Sequence, residues 1–532
     1  MKFTTKHLLL ILLCSVTTLL QAQIVFKPGE PLPPELPDPW LNGSRVQLRD
    51  GNNLPQYIDN SLSDYFPKII NQTGGSCAAA SSIHYMFTYE INRMLERKNE
   101  GKSANTFSYR WVWHLLNSGK DDGTSQHECI EMTKVAGCIT AADFGDQTSY
   151  DYRWPSGYNK YYNGMRYKTT SSYYVNLKTM DGITKLMKYM LDKNDGHPGG
   201  GVAAFGITSN NWSNEYYDGP SETGYKRIIN LKGSTGHHGM TLVGYDLSVE
   251  ADCNKDGIIS DEEKGAFILV NSWGSYWGTN GHAYIPFYYF LHTGEQDEED
   301  ENSEPSLSGG DNLVLCITTE YSEPTAAIRI KFSYSSRNDI TIRFGVADGA
   351  QATKSDPYCK LEYPYPKNQG GEWNMQGTSF TSGNMIEMGF DVSSLKNKAN
   401  AMKAPCWIII IGKEQYGKLG SGRILETSLY DYENDTVYNR TYSSQEGEIV
   451  KGYGNLFKIP TKRWFKNQYN KWYEAVETTC NTVLLAEDYT KPLSWDKAVI
   501  SVRKADGGYA KVKVKSYNPQ NRKMTLNIIH YE

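Results

Sequence analysis

The spacing of apolar residues changes character near residue 322, and this change constrains the fold of the 532-residue chain more than any other feature. Before it, Ile83, Met86, Phe87, Ile91, Met94 and Leu95 recur at three- and four-residue steps, the spacing of one helix face. "GVAAFGI" and "FILVNSW" are short apolar runs bounded by glycine or polar residues, as buried strands are. Beyond Glu323, "AAIRIKFSYS", "DITIRFGVA", "MIEMGFDVSS" and "CWIIIIGKE" read as short strands separated by turn residues, the pattern of an antiparallel sandwich. A chain of this length is expected to hold roughly two to four domains. The reading is therefore α+β over residues 54–322, a β-sandwich-like domain over 323–460, and a small β region over 461–532. The acidic, then Ser/Gly-rich run at 294–312 reads as a solvated loop, because "NLVLCITTEY" directly after it is strand-like and can return to the first domain.

"MKFTTKHLLLILLCSVTTLLQAQ" places two lysines before a short apolar run, with a cut expected after Ala22, so residues 1–22 read as a secretory signal peptide. Serine and threonines break the run before it is long enough to span a bilayer, and no other segment is apolar enough to do so. The expected location is exported: periplasmic, cell-surface or secreted. Residues 23–53 are proline-rich and read as an extended tether. A net charge of −5 without a long basic block argues against nucleic acid as a partner. Eight cysteines follow Cys14, and export permits disulfides among them, Cys129 with Cys138 being one pairing the spacing allows.

The chemistry gathers in three separated stretches. In "NQTGGSCAAAS", Cys77 follows a glycine pair and starts the helical pattern; a helix N-terminus and an imidazolium both stabilise a thiolate. In "GHHGMTLVGYD" a histidine leads into an apolar strand, and in "FILVNSWGSYWGTNGHAYIP" Asn271 could fix the orientation of such a histidine. The N–H of Cys77 and a side-chain amide just upstream would serve a developing oxyanion. Singly, each is ordinary: a buried cysteine, a core or surface histidine, two core tryptophans.

Together, and in this order, the three stretches resemble the active-site motifs of papain-like (cathepsin-type) cysteine peptidases. The resemblance covers about residues 54–321 and points to a secreted bacterial member with C-terminal accessory β domains. It implies a two-lobed fold, a helical lobe beside a β-barrel-like lobe, and hydrolysis of polypeptide substrates without a catalytic cofactor. Carried over by position, Cys77 is the nucleophile, His238 the general acid–base and Asn271 the orienter, with Trp273 and Trp277 shielding that hydrogen bond. His238 is preferred to His237 by its spacing to Gly244–Tyr245. Gln72 is the expected oxyanion amide, although Asn71 stands at the family's usual separation from the nucleophile. Ala78 replaces the usual bulky aromatic, the cysteine that usually precedes this loop is absent, and the stretch before Leu54 is short for an inhibitory propeptide.

Between histidine and asparagine lies "DCNKDGIISDEE", residues 252–263, with the spacing of an EF-hand calcium loop. Asp252, Asn254, Asp256 and Glu263 would supply side-chain oxygens, Ile258 a backbone carbonyl and Ile259 an apolar anchor; the alternative is an acidic hairpin that binds nothing. A structural calcium ion is thus expected. Competing readings of the whole are an inactive homologue serving as a binding or adhesion protein, and a thiol transpeptidase or aminopeptidase using the same triad. The abundant tyrosines leave room for a glycan or surface ligand on the C-terminal β region, though they equally suit ordinary sheets.

Overall fold

A computed structural model describes residues 25–26, 31–37, 54–145, 152–207, 212–234, 238–292, 312–349, 359–363, 373–375, 385–413, 420–450 and 452–461, together with strands at 463–466, 472–477, 482–486, 499–503, 509–518 and 523–531. The leader, most of the proline-rich segment, the acidic run up to residue 311 and His237 lie outside the described residues.

The helical pattern after Cys77 forms three consecutive segments, Cys77–Ala79, Ala80–Phe87 and Thr88–Met94, which run on as one helix, α1. Its middle segment is wound as a π-helix, a local form often found at functional sites. Ile83, Met86, Phe87 and Ile91 are buried as their spacing predicts, yet Ser81, Ser82, Thr88, Glu90, Asn92 and Arg93 are buried too. The helix is thus covered on every face, and its polar groups carry internal partners. Thr88 Oγ1 donates to the Ile83 carbonyl at 3.1 Å and accepts the Phe107 N–H at 2.9 Å. Glu90 accepts from Lys193 Nζ at 2.6 Å and from Arg93 Nε at 3.3 Å. Around α1 stand α2 (Tyr109–Leu116), α3 (Gln126–Ala136), α4 (Tyr158–Met165) and α5 (Met180–Leu191). A reciprocal cap between Ser125 and Glu128 starts α3, and Gly137 at φ +71° ends it.

Nine strands form the first sheet: β1 (Tyr57–Asp59), β2 (Tyr167–Asn176), β3 (Ala203–Ile207), β4 (Trp212–Tyr216), β5 (Arg227–Ser234), β6 (His238–Glu250), β7 (Lys264–Val270), β8 (His282–Pro286) and β9 (Leu313–Tyr321). Their order is β2-β9-β3-β6-β7-β8-β5-β4, with β1 also on β6; among the described residues only β5 and β8 of these strands pair in parallel. The strand after the acidic run, β9, therefore belongs to this sheet. Phe205, Met240, Leu242, Phe267, Leu269 and Phe290 pack as its core. Cutting one of these leucines to alanine costs about 2–5 kcal/mol in such a setting. Facing Thr241 on β6 is Val270 on β7, so the start of one strand and the end of the other lie side by side.

Beyond residue 322 the described chain is almost entirely strand: β10 (Ala326–Tyr334), β11 (Ile340–Asp348), β12 (Cys359–Tyr363), β13 (Met385–Asp391), β14 (Pro405–Lys413), β15 (Gly422–Asp431), β16 (Thr436–Thr441) and β17 (Gly452–Pro460). They make two four-stranded antiparallel sheets, β13-β10-β15-β16 and β12-β11-β14-β17, and two three-stranded sheets follow in the tail. The whole is α+β. Along β10, Ile328, Ile330, Phe332 and Tyr334 are buried at alternate positions, as the period-two pattern requires. The chain divides into two compact units: Met1–Arg343 with Leu361–Ser394 and Ile410–Asn455, and Phe344–Lys360 with Leu395–Ile409 and Leu456–Glu532. Within the first unit, α4 docks on β13: the Tyr158 N–H donates to Glu387 Oε1 at 2.8 Å and the Tyr158 ring stacks on Tyr430 at 4.3 Å.

Cys77, Cys129, Cys138, Cys253, Cys316 and Cys406 are buried thiols, so the 129–138 bridge is not made. Among the described residues, no helix is long and apolar enough to cross a membrane.

Candidate active site

Cys77 opens α1 directly behind a tight turn in which Gly74 adopts φ +59°. That conformation is strained for any side chain. His238 is the first residue of β6 and Asn271 follows the last residue of β7, so the sheet brings the two together. His238 Nε2 lies 2.6 Å from Asn271 Oδ1. The Ser272 N–H donates to that same Oδ1 at 2.7 Å, which fixes the amide with its oxygen toward the ring. Nε2 therefore carries the proton, and Nδ1 is left as the basic nitrogen. From the residue after His238, the Gly239 N–H donates to Cys77 Sγ at 3.1 Å. Cys77 and Asn271 are thus both tied to the start of β6, the first through Gly239 and the second through His238.

Burial sets the resting protonation. It pushes the Cys77 thiol up to about 12, against the lowering effect of the Gly239, Ala78 and Cys77 amides. It pulls the His238 imidazole down to about 4, against the raising effect of Asn271. Both shifts favour the neutral form of the group. Trp273 lies 4.3 Å from the His238 ring by centroids. Trp277 meets Trp273 edge-on at 6.3 Å and stands one ring further out, while Trp212 of β4 is parallel to His238 at 6.3 Å.

Gln72 is bound into the neighbouring loop. Its N–H donates to the Ser272 carbonyl at 2.7 Å, its Oε1 accepts from Ser272 Oγ at 2.5 Å, and its Nε2 donates to the Gly74 carbonyl at 2.9 Å. Asn71 is exposed and pairs through its backbone with Trp273. Both amides therefore sit on the segment that runs beside Ser272 and Trp273. The segment is tied further by Tyr85 of α1, whose buried hydroxyl accepts the Ile70 N–H at 3.1 Å and donates to the Asn271 carbonyl at 3.0 Å. Tyr85, Ser272, Gly239 and Trp212 went unnoticed in the sequence. Tyr85 lies eight positions after the nucleophile on a helix whose π winding alters which residues share a face, so no simple period points to it.

The loop at 252–263 folds around its own acidic side chains. Asp252 accepts from the N–H groups of Asp256 (3.1 Å) and Gly257 (2.9 Å), Asn254 from Asp256 (3.0 Å), and Asp256 from Ile258 (2.7 Å). Glu263 is buried, and both its oxygens take donors: Oε1 from Cys253 and Asn254, Oε2 from the N–H and hydroxyl of Ser260. Burial raises its pKa, but these donors outweigh that and hold the carboxyl below the usual range. Gly257 takes φ +85°, the sharp turn the pattern calls for. Ile258 and Ile259 are exposed, so Ile259 is not the apolar anchor expected. Among the described residues, no three His, Cys, Asp or Glu side chains stand ready as a metal cluster.

No protein-family model matches the sequence, and no curated protein matches it in sequence. Among solved structures the chain is similar to xylellain, a cysteine protease from Xylella fastidiosa, at 14% identity over 56% of this chain and 96% of that one, with a TM-score of 0.35. It is similar to procathepsin B S9 from Trypanosoma congolense at 12% identity over 57% and 87%, with a TM-score of 0.35. It is also similar to the bromelain protease from Ananas comosus, solved with the E64 inhibitor, at 14% identity over 50% and 99%, with a TM-score of 0.27.

Proposed function

We propose that the chain is an exported cysteine endopeptidase that cleaves polypeptides through an acyl-thioester on Cys77. One observation carries the reading: His238 is held by Asn271 at 2.6 Å while the adjoining Gly239 amide grips the Cys77 sulfur at 3.1 Å. His238 Nδ1 takes the thiol proton as the sulfur attacks the scissile carbonyl, and the Cys77 N–H meets the oxyanion. The same nitrogen then returns the proton to the leaving amine. Water, deprotonated by His238, hydrolyses the thioester and restores the thiol. Gln72, or Asn71 beside it, would add a second oxyanion donor after the loop shifts on substrate binding. No metal or organic cofactor takes part in these steps.

The leader supports export to the periplasm, cell surface or medium. The loop at 252–263 would bind calcium through Asp252, Asn254, Asp256, the Ile258 carbonyl and Glu263, bracing the connection between β6 and β7; Glu263 must exchange its present amide partners to do so. The strands beyond 322 would engage a glycan or surface ligand. The test of the peptidase reading is hydrolysis of an unfolded polypeptide by the purified chain and by Cys77→Ala. Cleavage that persists in the variant would overturn it, as would no cleavage by either.

A further inference from the structure

We infer that Asp121 is a positioning residue for the nucleophile loop, and that Trp373 and Arg337, from the strand-rich region beyond residue 322, hold it there through Gly119. This rests on the proposed role of Cys77. The Gly75 N–H donates to Asp121 Oδ1 at 2.5 Å, two residues before the sulfur. A Cβ on Gly74 would come within 2.2 Å of that oxygen, so the carboxylate fills the space a side chain would need. The contact is solvent-exposed. Left to a mobile aspartate, a hydrogen bond of this kind would fix little; it positions the loop only if Asp121 is itself held.

Asp121 is held from two sides. On the inner side, α2 grips the turn that carries it: Trp113 Nε1 donates to the Asp122 carbonyl at 2.9 Å, and the Gly119 N–H donates to Asn117 Oδ1 at 3.0 Å. On the outer side, the Trp373 indole lies directly on Gly119, where a Cβ would meet Trp373 Cδ1 at 1.9 Å and Arg337 Nη2 at 2.7 Å. Gly119 has φ +73°, so both its backbone and its surroundings exclude a side chain. The Arg337 N–H donates to the Trp373 carbonyl at 2.8 Å, and the Arg337 guanidinium stacks 4.6 Å over Trp154. Trp154 returns the connection to α2 by donating from Nε1 to the His114 carbonyl at 2.9 Å. The guanidinium is buried; its Nη1 donates to the Tyr152 carbonyl at 3.4 Å, and among the described residues neither Nε nor Nη2 has a hydrogen-bond partner and no carboxylate pairs with it. A buried cation with no carboxylate is costly, so its presence here is explained by shape and stacking rather than by ion pairing.

The test reads the second-order rate of iodoacetamide alkylation at Cys77 in the full chain, with a thermal melt for every variant. Asp121→Ala should slow alkylation about tenfold, the loss expected for one charge-assisted hydrogen bond. Asp121→Asn keeps an acceptor oxygen and should stay within about twofold of the parent. Trp373→Ala should slow alkylation about three- to tenfold, and the double variant with Asp121→Ala should be no slower than Asp121→Ala alone. Arg337→Met removes an unpaired buried charge, so its melt should hold or rise while alkylation slows by about twofold or more. Additive effects, a silent Trp373→Ala, an Asn variant as slow as Ala, or unchanged alkylation in Arg337→Met would each overturn the inference. A parent chain that is not alkylated at Cys77 would instead bring down the peptidase reading.

Discussion

Replacing Tyr85 by phenylalanine removes one oxygen and changes little else, so its effect measures how firmly α1 is fastened to the asparagine loop. The hydroxyl is buried and serves two main-chain groups, accepting from Ile70 at 3.1 Å and donating to Asn271 at 3.0 Å. Without it, one N–H and one C=O lose their partner. Each such orphan costs about 1–3 kcal/mol, and removal of a buried hydroxyl offsets part of that, leaving a net loss of about 2–4 kcal/mol. Tyr89→Phe, one turn along the same helix, is the internal control: among the described residues its hydroxyl serves one group, the Gly200 carbonyl at 2.8 Å, for a loss of about 1 kcal/mol. Urea unfolding of both variants in a Cys77→Ala background, which prevents self-cleavage, gives the two values directly. Equal losses, or a Tyr85→Phe change below about 0.5 kcal/mol, would refute the bridging role.

His238 is pulled down to about 4, so kcat/KM should fall on an acid limb near pH 4 and stay level through neutrality; a limb near 6.5 would contradict the buried, neutral imidazole. His84 is likewise held at about 4 by burial. Because the unfolded chain protonates both histidines where the folded chain does not, stability should fall as pH drops from 6.5 to 4, by about 3 kcal/mol for each, in urea titrations across that range. A Cβ at Gly239 would stand 3.1 Å from Gln126 Nε2, 3.1 Å from Ser81 Oγ and 3.2 Å from Ala78 Cα. Gly239→Ala should therefore cost about 1–3 kcal/mol in unfolding and slow Cys77 alkylation, since the strand must move off α1. Saturating calcium should raise the melting temperature by about 5 °C in the parent and not in Asp252→Ala, and an unchanged parent melt would favour the inert hairpin.

How far the sequence could be read depended on whether a contact repeats. The step of three and four along Ile83, Met86, Phe87 and Ile91 exposed α1, and alternation along Ile328, Ile330 and Phe332 exposed β10, because burial repeats with the backbone period. Cys77, His238 and Asn271 were legible as candidates for another reason: each stands in a local motif with its own glycines, joined in the third by two tryptophans. What joins those motifs was not legible. Tyr85 to Ile70 and Asn271, Asp121 to Gly75, and Trp373 on Gly119 are single contacts between distant segments, with no spacing of their own. The burial of Cys77 and His238 was hidden for the same reason, since it depends on segments distant in sequence.

The central claim is that Cys77 is a nucleophile made usable by His238. Its most direct measurement is covalent trapping with an epoxysuccinyl thiol inhibitor, followed by mass mapping and assay of peptide hydrolysis. The account predicts one equivalent on Cys77, loss of hydrolysis in step with labelling, and much slower labelling in His238→Ala and Asn271→Ala. Labelling of another cysteine in place of Cys77, or full labelling of Cys77 in His238→Ala, would contradict it.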